Sequence, residues 1–311
     1  MAGPPPPDYR GPSGAFRMTP LNYNSPDDLR TFLDGKGMGM RKKFGQNFLI
    51  NPAIRKALIE ALEAEAGESV WEIGAGLGAM TGPLLEKGLC VRAFEIDQGF
   101  IGVLKEFFSA NENFTLIEGD ILKTWPDQPP ADYLLGNLPY NIAATLLANF
   151  IVKRRFFRRM VVTVQREVAM RMAASPGSPD YSSFSVLCAS AYYVEPLMII
   201  KSSSFYPRPN VDSQAVLMEL RDDTERYQLP SCFHPLVRGL FSSRRKTIKN
   251  NLAAFLGRRA FVASRGRCSV SLQSAIDDIF AKSGLDGDDR AETLAFEDFV
   301  ILAKIIDNMG L

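Results

Sequence analysis

A chain of 311 residues, 46% hydrophobic and 23% charged, has room for one large globular domain and a smaller one. Its longest apolar stretch, Phe184 to Ile200, is broken by Glu195 and Pro196 and falls short of the roughly 18 residues a bilayer span needs, so no membrane crossing is expected. The formal net charge of +1 hides an uneven distribution. Basic runs at 41–43, 153–159, 244–249 and 258–267 are segregated from acids at 60–68 and 277–298, which suits a near-neutral protein that meets a polyanion with one face.

In chain order, the first 35 residues hold Pro4 to Pro7 and several Gly, Ser and Asp but no apolar signal core. They read as a disordered tail, and Met18 is an alternative start. Apolar residues at 54, 58, 59 and 62 predict a helix over 52–66, closed by Gly67. Strands are expected at 69–73, 90–96, 114–118 and 133–136, with helices through Leu84 and Leu85 and over 100–108 between them. A helix at 143–151, a strand at 160–165, a helix at 167–174 and strands near 186–194 and 215–220 follow. Alternating strands and helices with near-continuous apolar strands predict an α/β, doubly wound Rossmann-like fold, its sheet covered on both faces. From Tyr227 the pattern is helical. The expected division is a tail at 1–35, the α/β domain at 36–225 and a small all-α C-terminal domain at 226–311.

Two scarcities limit the chemistry. Four cysteines lie far apart with no C-x-x-C, which argues for reduced thiols and against a structural metal. The single histidine, His234, stands before Pro235 where a helix begins and is read as structural, so the reaction proceeds without a histidine base.

The run from Glu72 to Gly78 joins a predicted strand to a helix, and its glycines let a ligand approach the backbone at the helix N-terminus. Glu95 ends the next strand, where an acid can bind both hydroxyls of a ribose. Asp120 ends the third, where a carboxylate can accept from an adenine amino group. Glycines at 74, 76 and 78 alternate every second residue, unlike the G-x-G-x-x-G of an NAD site, so the ligand is read as S-adenosylmethionine. The fourth strand runs into Asn137-Leu138-Pro139-Tyr140. Asn137 supplies an acceptor, Pro139 fixes φ and Tyr140 offers a stacking face, the parts needed to hold an exocyclic amine for methylation.

With these motifs in order, together with 43–49, 165–169, 205–213, 241–252 and 290–294, the chain resembles the small-subunit ribosomal RNA adenine dimethyltransferases over about residues 20–305. The macrolide-resistance methyltransferases of the large subunit and the mitochondrial transcription factor B proteins share the wider superfamily. The resemblance implies that Gln46, Asn47, Leu49, Gly74 and Gly76 surround the methionine end of S-adenosylmethionine. Glu95 would hold the ribose, Asp120 the adenine amino group, and Ile96 and Ile121 would sandwich the adenine. Asn137 and the Leu138 carbonyl would orient the target amine while Tyr140 and Phe205 enclose its base. Arg244, Arg245, Lys246 and Lys249 would begin a helix that meets rRNA phosphates.

The implied substrate is a pair of adjacent adenosines in a hairpin loop near the 3′ end of small-subunit rRNA, each dimethylated on N6. The implied partner is a maturing small subunit, and a cytoplasmic monomer is expected. A large-subunit methyltransferase, or an assembly or transcription factor on the same fold, are the alternatives. Met80 before Thr81, and Ala143-Ala144 in place of Ser-Thr, depart mildly from the family pattern and touch no implied ligand.

Overall fold

The computed structural model describes residues 21–38, 47–222, 228–263 and 272–310. These fall into two compact units, one within 1–150, 155–169 and 195–220, the other within 151–154, 170–194 and 221–311. The second unit is thus larger than a cut at residue 225 suggests, because it takes in 170–194.

The first unit opens with α1 (Pro26–Gly35), β1 (Phe48–Leu49) and α2 (Pro52–Glu60). The doubly wound core follows: β2 (Ser69–Ile73), α3 (Thr81–Glu86), β3 (Cys90–Glu95), α4 (Gln98–Phe108), β4 (Phe114–Glu118), α5 (Ile121–Thr124) and β5 (Tyr133–Asn137). In chain order there follow α6 (Ala143–Val152), β6 (Arg159–Gln165), α7 (Arg166–Ala173), α8 (Ser183–Ala189), β7 (Tyr192–Ile200), β8 (Phe205–Tyr206) and β9 (Ser213–Leu220), of which α8 and the end of α7 belong to the second unit. A seven-stranded sheet has the order β4-β3-β2-β5-β6-β9-β7, parallel from β4 through β6 with β9 antiparallel to β6. β1 pairs with β8 in a separate antiparallel ladder, Leu49 opposite Phe205.

Interior strands are apolar on both faces because both faces are covered. On one side Trp71, Phe94, Trp125, Phe150 and Phe157 form an aromatic cluster with ring centroids 4.9–5.4 Å apart along the chain of contacts. On the other, Val70 and Leu135 pack with Leu58, Leu62, Leu84, Leu104 and Phe107. The sheet winds outward in both directions from β2 and β5, so its topological switch point, where α/β folds bind ligands, lies at the C-terminal ends of those two strands.

Three expectations are corrected. The tail does not extend to residue 35: Ser25 caps α1 by accepting from the Asp28 amide, Pro26 occupies the first turn, and Leu29 and Leu33 are buried in the core. Residues 1–20 lie outside the described part. The strand expected near 186–194 is split into α8 and then β7, because Ser182 and Ser185 cap each other at a helix start. A short apolar run does not by itself tell helix from strand. α2 is shorter than expected, ending at Glu60.

The second unit continues with α9 (Phe233–Leu240), α10 (Ile248–Ala263), α11 (Leu272–Ser283) and α12 (Phe296–Asn308), around a core that includes Phe233, Leu252, Ile279 and Phe299. Among the described residues no helix is long and apolar enough to cross a membrane.

Leu29 is 0% exposed, so Leu29→Ala is expected to destabilise the protein by about 2–5 kcal/mol in a urea titration. An unattached segment at 21–35 would leave the midpoint unchanged.

Candidate active site

Gly74 leaves β2 with φ 73°, and a Cβ there would come within 3.6 Å of the Asn137 carbonyl oxygen. Gly76 has φ 59°, and a Cβ there would lie 3.3 Å from the Phe48 ring. Both positions need glycine, since an L side chain is strained at these angles and would fill the space between the strand ends. The cleft so formed is walled by Asn47, Gly74, Gly76, Glu95, Ile96, Asp120, Ile121, Asn137 and Pro139. Nine residues predicted separately are therefore gathered at one end of the sheet.

Glu95 is built into this cleft by its own backbone. Its Oε2 accepts from the Gly76 amide at 2.8 Å and its Oε1 from the Ile96 and Asp97 amides at 2.9 Å. Burial pushes its pKa up, and the three amides oppose that by favouring the carboxylate. The acid thus ties the glycine turn to the end of β3 and keeps acceptor capacity for a hydroxyl pair. Asp120 caps α5, Oδ1 accepting from Leu122 N at 3.0 Å. Ile96 is 39% exposed, an unusual placement for isoleucine that leaves its face open to the cleft.

Asn137 ends β5. Its Nδ2 donates to the Asn47 carbonyl at 2.9 Å. Only an NH₂ can donate to a carbonyl, so this bond settles the amide orientation and directs Oδ1 elsewhere as an acceptor. Leu138 is buried and its amide donates to Thr163 O at 3.0 Å, anchoring the turn to β6. The Pro139 carbonyl accepts from Ile142 and Ala143 as the chain turns into α6. Tyr140 is half-buried, and its hydroxyl shares a 2.6 Å hydrogen bond with Ser213 Oγ. Burial raises the Tyr140 pKa above the ordinary phenol value, so it is a neutral ring at physiological pH.

Gln46 and the basic run 41–43 lie outside the described residues. Leu49 is buried in β1, where its carbonyl accepts from Arg55. Phe205 is 3% exposed in β8, opposite Leu49, and packs in the hydrophobic core.

In the second unit, Arg244 does not begin a helix. It sits in the turn before α10, with its guanidinium on Glu292 (2.9 and 3.0 Å) and the Pro179 carbonyl, so it anchors that turn. Lys249 pairs with Asp277 at 3.1 Å. Arg245 and Lys246 are exposed, and buried Asn251 holds their turn by donating to Leu240 O and Ser243 O. His234 belongs to this unit, and burial first, then Arg154, pushes its pKa down to about 4.

Sequence reasoning missed Glu72 and Ser213 as individual actors. Glu72 is 1% exposed; Thr81 donates to its Oε2 at 2.6 Å, while Oε1 has no hydrogen-bond partner. Complete burial pushes its pKa up to about 8, Thr81 opposing and Glu95 adding to the shift. A groove of about 860 Å³ beside α2 and α3 is larger than the cleft. It contains none of the strand-end acids or the Asn-Leu-Pro-Tyr turn.

Residues 37–288 match the family described as "Ribosomal RNA adenine dimethylase". The chain belongs to that family. It is 43% identical over 303 residues to ribosomal RNA small subunit methyltransferase A of Treponema denticola, covering 96% of this chain and 100% of the relative. The enzyme of the same name from Borreliella afzelii is 37% identical, covering 92% and 95%. A dimethyladenosine transferase from Plasmodium falciparum superposes with a TM-score of 0.73 at 26% identity, over 84% of this chain and 98% of that one. The 23S rRNA methyltransferase ErmE shares the fold, with a TM-score of 0.58 at 18% identity over 83% and 99%. The chain is thus an S-adenosylmethionine-dependent methyltransferase with a Rossmann-like fold.

Its own residues fit that cofactor: two glycines whose Cβ positions face the strand ends, a buried carboxylate, a second acid and an open isoleucine all converge.

Glu72 gives the site a pH dependence. Folded, its carboxyl stays protonated up to about pH 8; unfolded, it ionises near 4.5, so its stabilising contribution is full below pH 4.5 and is lost as the pH rises towards 8. Urea midpoints of wild type and Glu72→Gln, measured at pH 5 and pH 8, are expected to shift relative to each other in favour of the variant at the higher pH.

Proposed function

We propose that the protein dimethylates N6 of two adjacent adenosines in a hairpin loop near the 3′ end of small-subunit rRNA, acting as a cytoplasmic monomer on the maturing subunit. The fixed orientation of Asn137 carries this reading. With Nδ2 held by the Asn47 carbonyl, Oδ1 is the acceptor offered by the cleft wall, and an exocyclic amine is the donor that suits it. The resemblance to the curated small-subunit enzymes, at 43% and 37% identity, supports this substrate over a large-subunit adenosine.

The cofactor is assigned to Glu95 at the ribose, Asp120 at the adenine amino group, Ile96 and Ile121 at the ring, and Gly74, Gly76 and Asn47 at the methionine end. When bound, S-adenosylmethionine supplies a sulfonium-activated methyl group, which the N6 lone pair takes as the carbon–sulfur electron pair returns to sulfur.

The protein's part is alignment. An adenine N6 lone pair is delocalised into its ring, and it is directed when the N6 hydrogens are accepted by Asn137 Oδ1 and the Leu138 carbonyl. Tyr140 stacks on the extruded base. The surplus proton on nitrogen leaves to water, so no side chain acts as a base, in keeping with a neutral Tyr140 and a lone histidine of depressed pKa. Exposed Arg245 and Lys246 are assigned to rRNA phosphates, which supply affinity and position.

Incubation with labelled cofactor and unmethylated small subunits is expected to place label in N6-dimethyladenosine at two neighbouring positions; label confined to large-subunit rRNA, or none, overturns the reading. Asn137→Ala is expected to slow transfer by at least about 100-fold, while calorimetry shows cofactor binding weakened far less.

A further inference from the structure

The turn that carries Tyr140 is fixed at two ends, and the second anchor comes from a different strand. Along the C-terminal edge of the sheet, Asn137 pairs with Thr163 across β5 and β6, and Gln165 pairs with Ser213 across β6 and β9. Register partners share a face, and so do residues two apart on one strand. Asn137, Thr163, Gln165 and Ser213 therefore form a polar row on one face of the sheet. Ser213 is 0% exposed and its Oγ reaches the Tyr140 hydroxyl at 2.6 Å.

Ser213 is itself held in place. The carboxylate of neighbouring Asp212 accepts from the Ser202 amide at 2.9 Å and from Lys201 Nζ at 3.1 Å, and the Asp212 carbonyl accepts from the Arg166 amide. A tyrosine side chain has two rotatable bonds, so a ring secured only at its backbone retains freedom to tilt. A buried partner for the hydroxyl removes that freedom.

We infer that Ser213 is a positioning residue that sets the tilt of the Tyr140 ring, and that this anchor matters most for the second methyl transfer to each adenosine. The inference rests on the proposed function, in which Tyr140 stacks on the target base. An unmodified amine brings two N–H groups, one for Asn137 Oδ1 and one for the Leu138 carbonyl. After one methyl has been added, a single N–H remains, and half of the hydrogen-bonded alignment is gone. Stacking on a ring of fixed tilt then carries a larger share of the orientation. The two transfers share the same bond changes, and each releases one proton to water, so what differs between them is how the amine is held.

The test is the ratio of N6-monomethyladenosine to N6-dimethyladenosine in small-subunit rRNA, measured by nucleoside mass spectrometry through a time course. Ser213→Ala is expected to lower kcat for the second transfer by about three- to tenfold, the loss of one buried hydrogen bond, with KM for the subunit little changed, so the monomethyl product accumulates. Tyr140→Phe, which leaves the buried serine in place, should give the same ratio. The double variant should be no worse than either, because both changes remove one bond.

Thermal melts of all three are run alongside, and Ser213→Cys, which keeps a weak hydrogen-bonding group, should recover part of the second transfer. A monomethyl to dimethyl ratio equal to that of wild type in Ser213→Ala, or additive effects in the double variant, overturns the inference. Failure of the wild-type protein to form any N6-methylated adenosine overturns the proposed function instead, so the two failures are told apart in one assay.

Discussion

The site depends on one pairing, that of β2 with β5 at the centre of the sheet. Strand order reverses there, and the ends of both strands are left without a crossover helix between them. The fit is close. Gly136, opposite Ile73, has no room for a side chain, since a Cβ would lie 2.6 Å from Leu138 Cδ2 and 3.2 Å from Ile73 Cβ. A larger residue would push β5 from β2 and separate Gly74 from the Asn137 carbonyl. The glycine turn after β2 and the Asn-Leu-Pro-Tyr turn after β5 thus leave the ends of one strand pair, and their spacing is set by its backbone hydrogen bonds.

Two acids buried close together would ordinarily repel. The structure treats them differently. Burial raises the Glu95 pKa but three backbone amides oppose the shift, while Glu72, with one hydroxyl donor and full burial, is held as the neutral acid. Backbone donors thus oppose the effect of burial at Glu95, whereas one strand away Glu72 has a single hydroxyl to do so. The same pattern of burial and backbone donors also fastens the glycine turn to β3, so the acid that would meet the ligand is also the one that shapes the loop around it.

Much of this was legible in the sequence. Ser69–Ile73, Cys90–Glu95 and Tyr133–Asn137 are largely buried parallel strands, and such strands advertise themselves as apolar runs ending in chemistry-bearing residues. What escaped was tertiary. The cap of α1, Ser25 before Pro26, was present to be read, but the Pro- and Gly-rich residues around it outweighed Leu29 and Leu33. Phe205 and Leu49 sit in recognisable motifs, but nothing local says that they are register partners in a two-stranded ladder. Arg244 stands in a basic run, and the Glu292 that pairs with it is 48 residues away. Ser213 ended a motif, yet its partner Tyr140 is 73 residues distant.

Asparagine is used twice in this protein in the same way and for different ends. Asn251 spends its NH₂ on the carbonyls of Leu240 and Ser243, and its Oδ1 accepts from Ser242 Oγ at 3.4 Å, so both ends of the amide serve the turn that displays Arg245 and Lys246. Asn137 spends its NH₂ on the Asn47 carbonyl, and among the described residues nothing donates to its Oδ1. The first amide is satisfied and therefore structural. The second has its Oδ1 open at the wall of a cleft, free to accept from a donor that enters it. That asymmetry separates an amide wholly committed to its own turn from one that still offers an acceptor to the cleft, and the proposed alignment of an amine without a side-chain base rests on it.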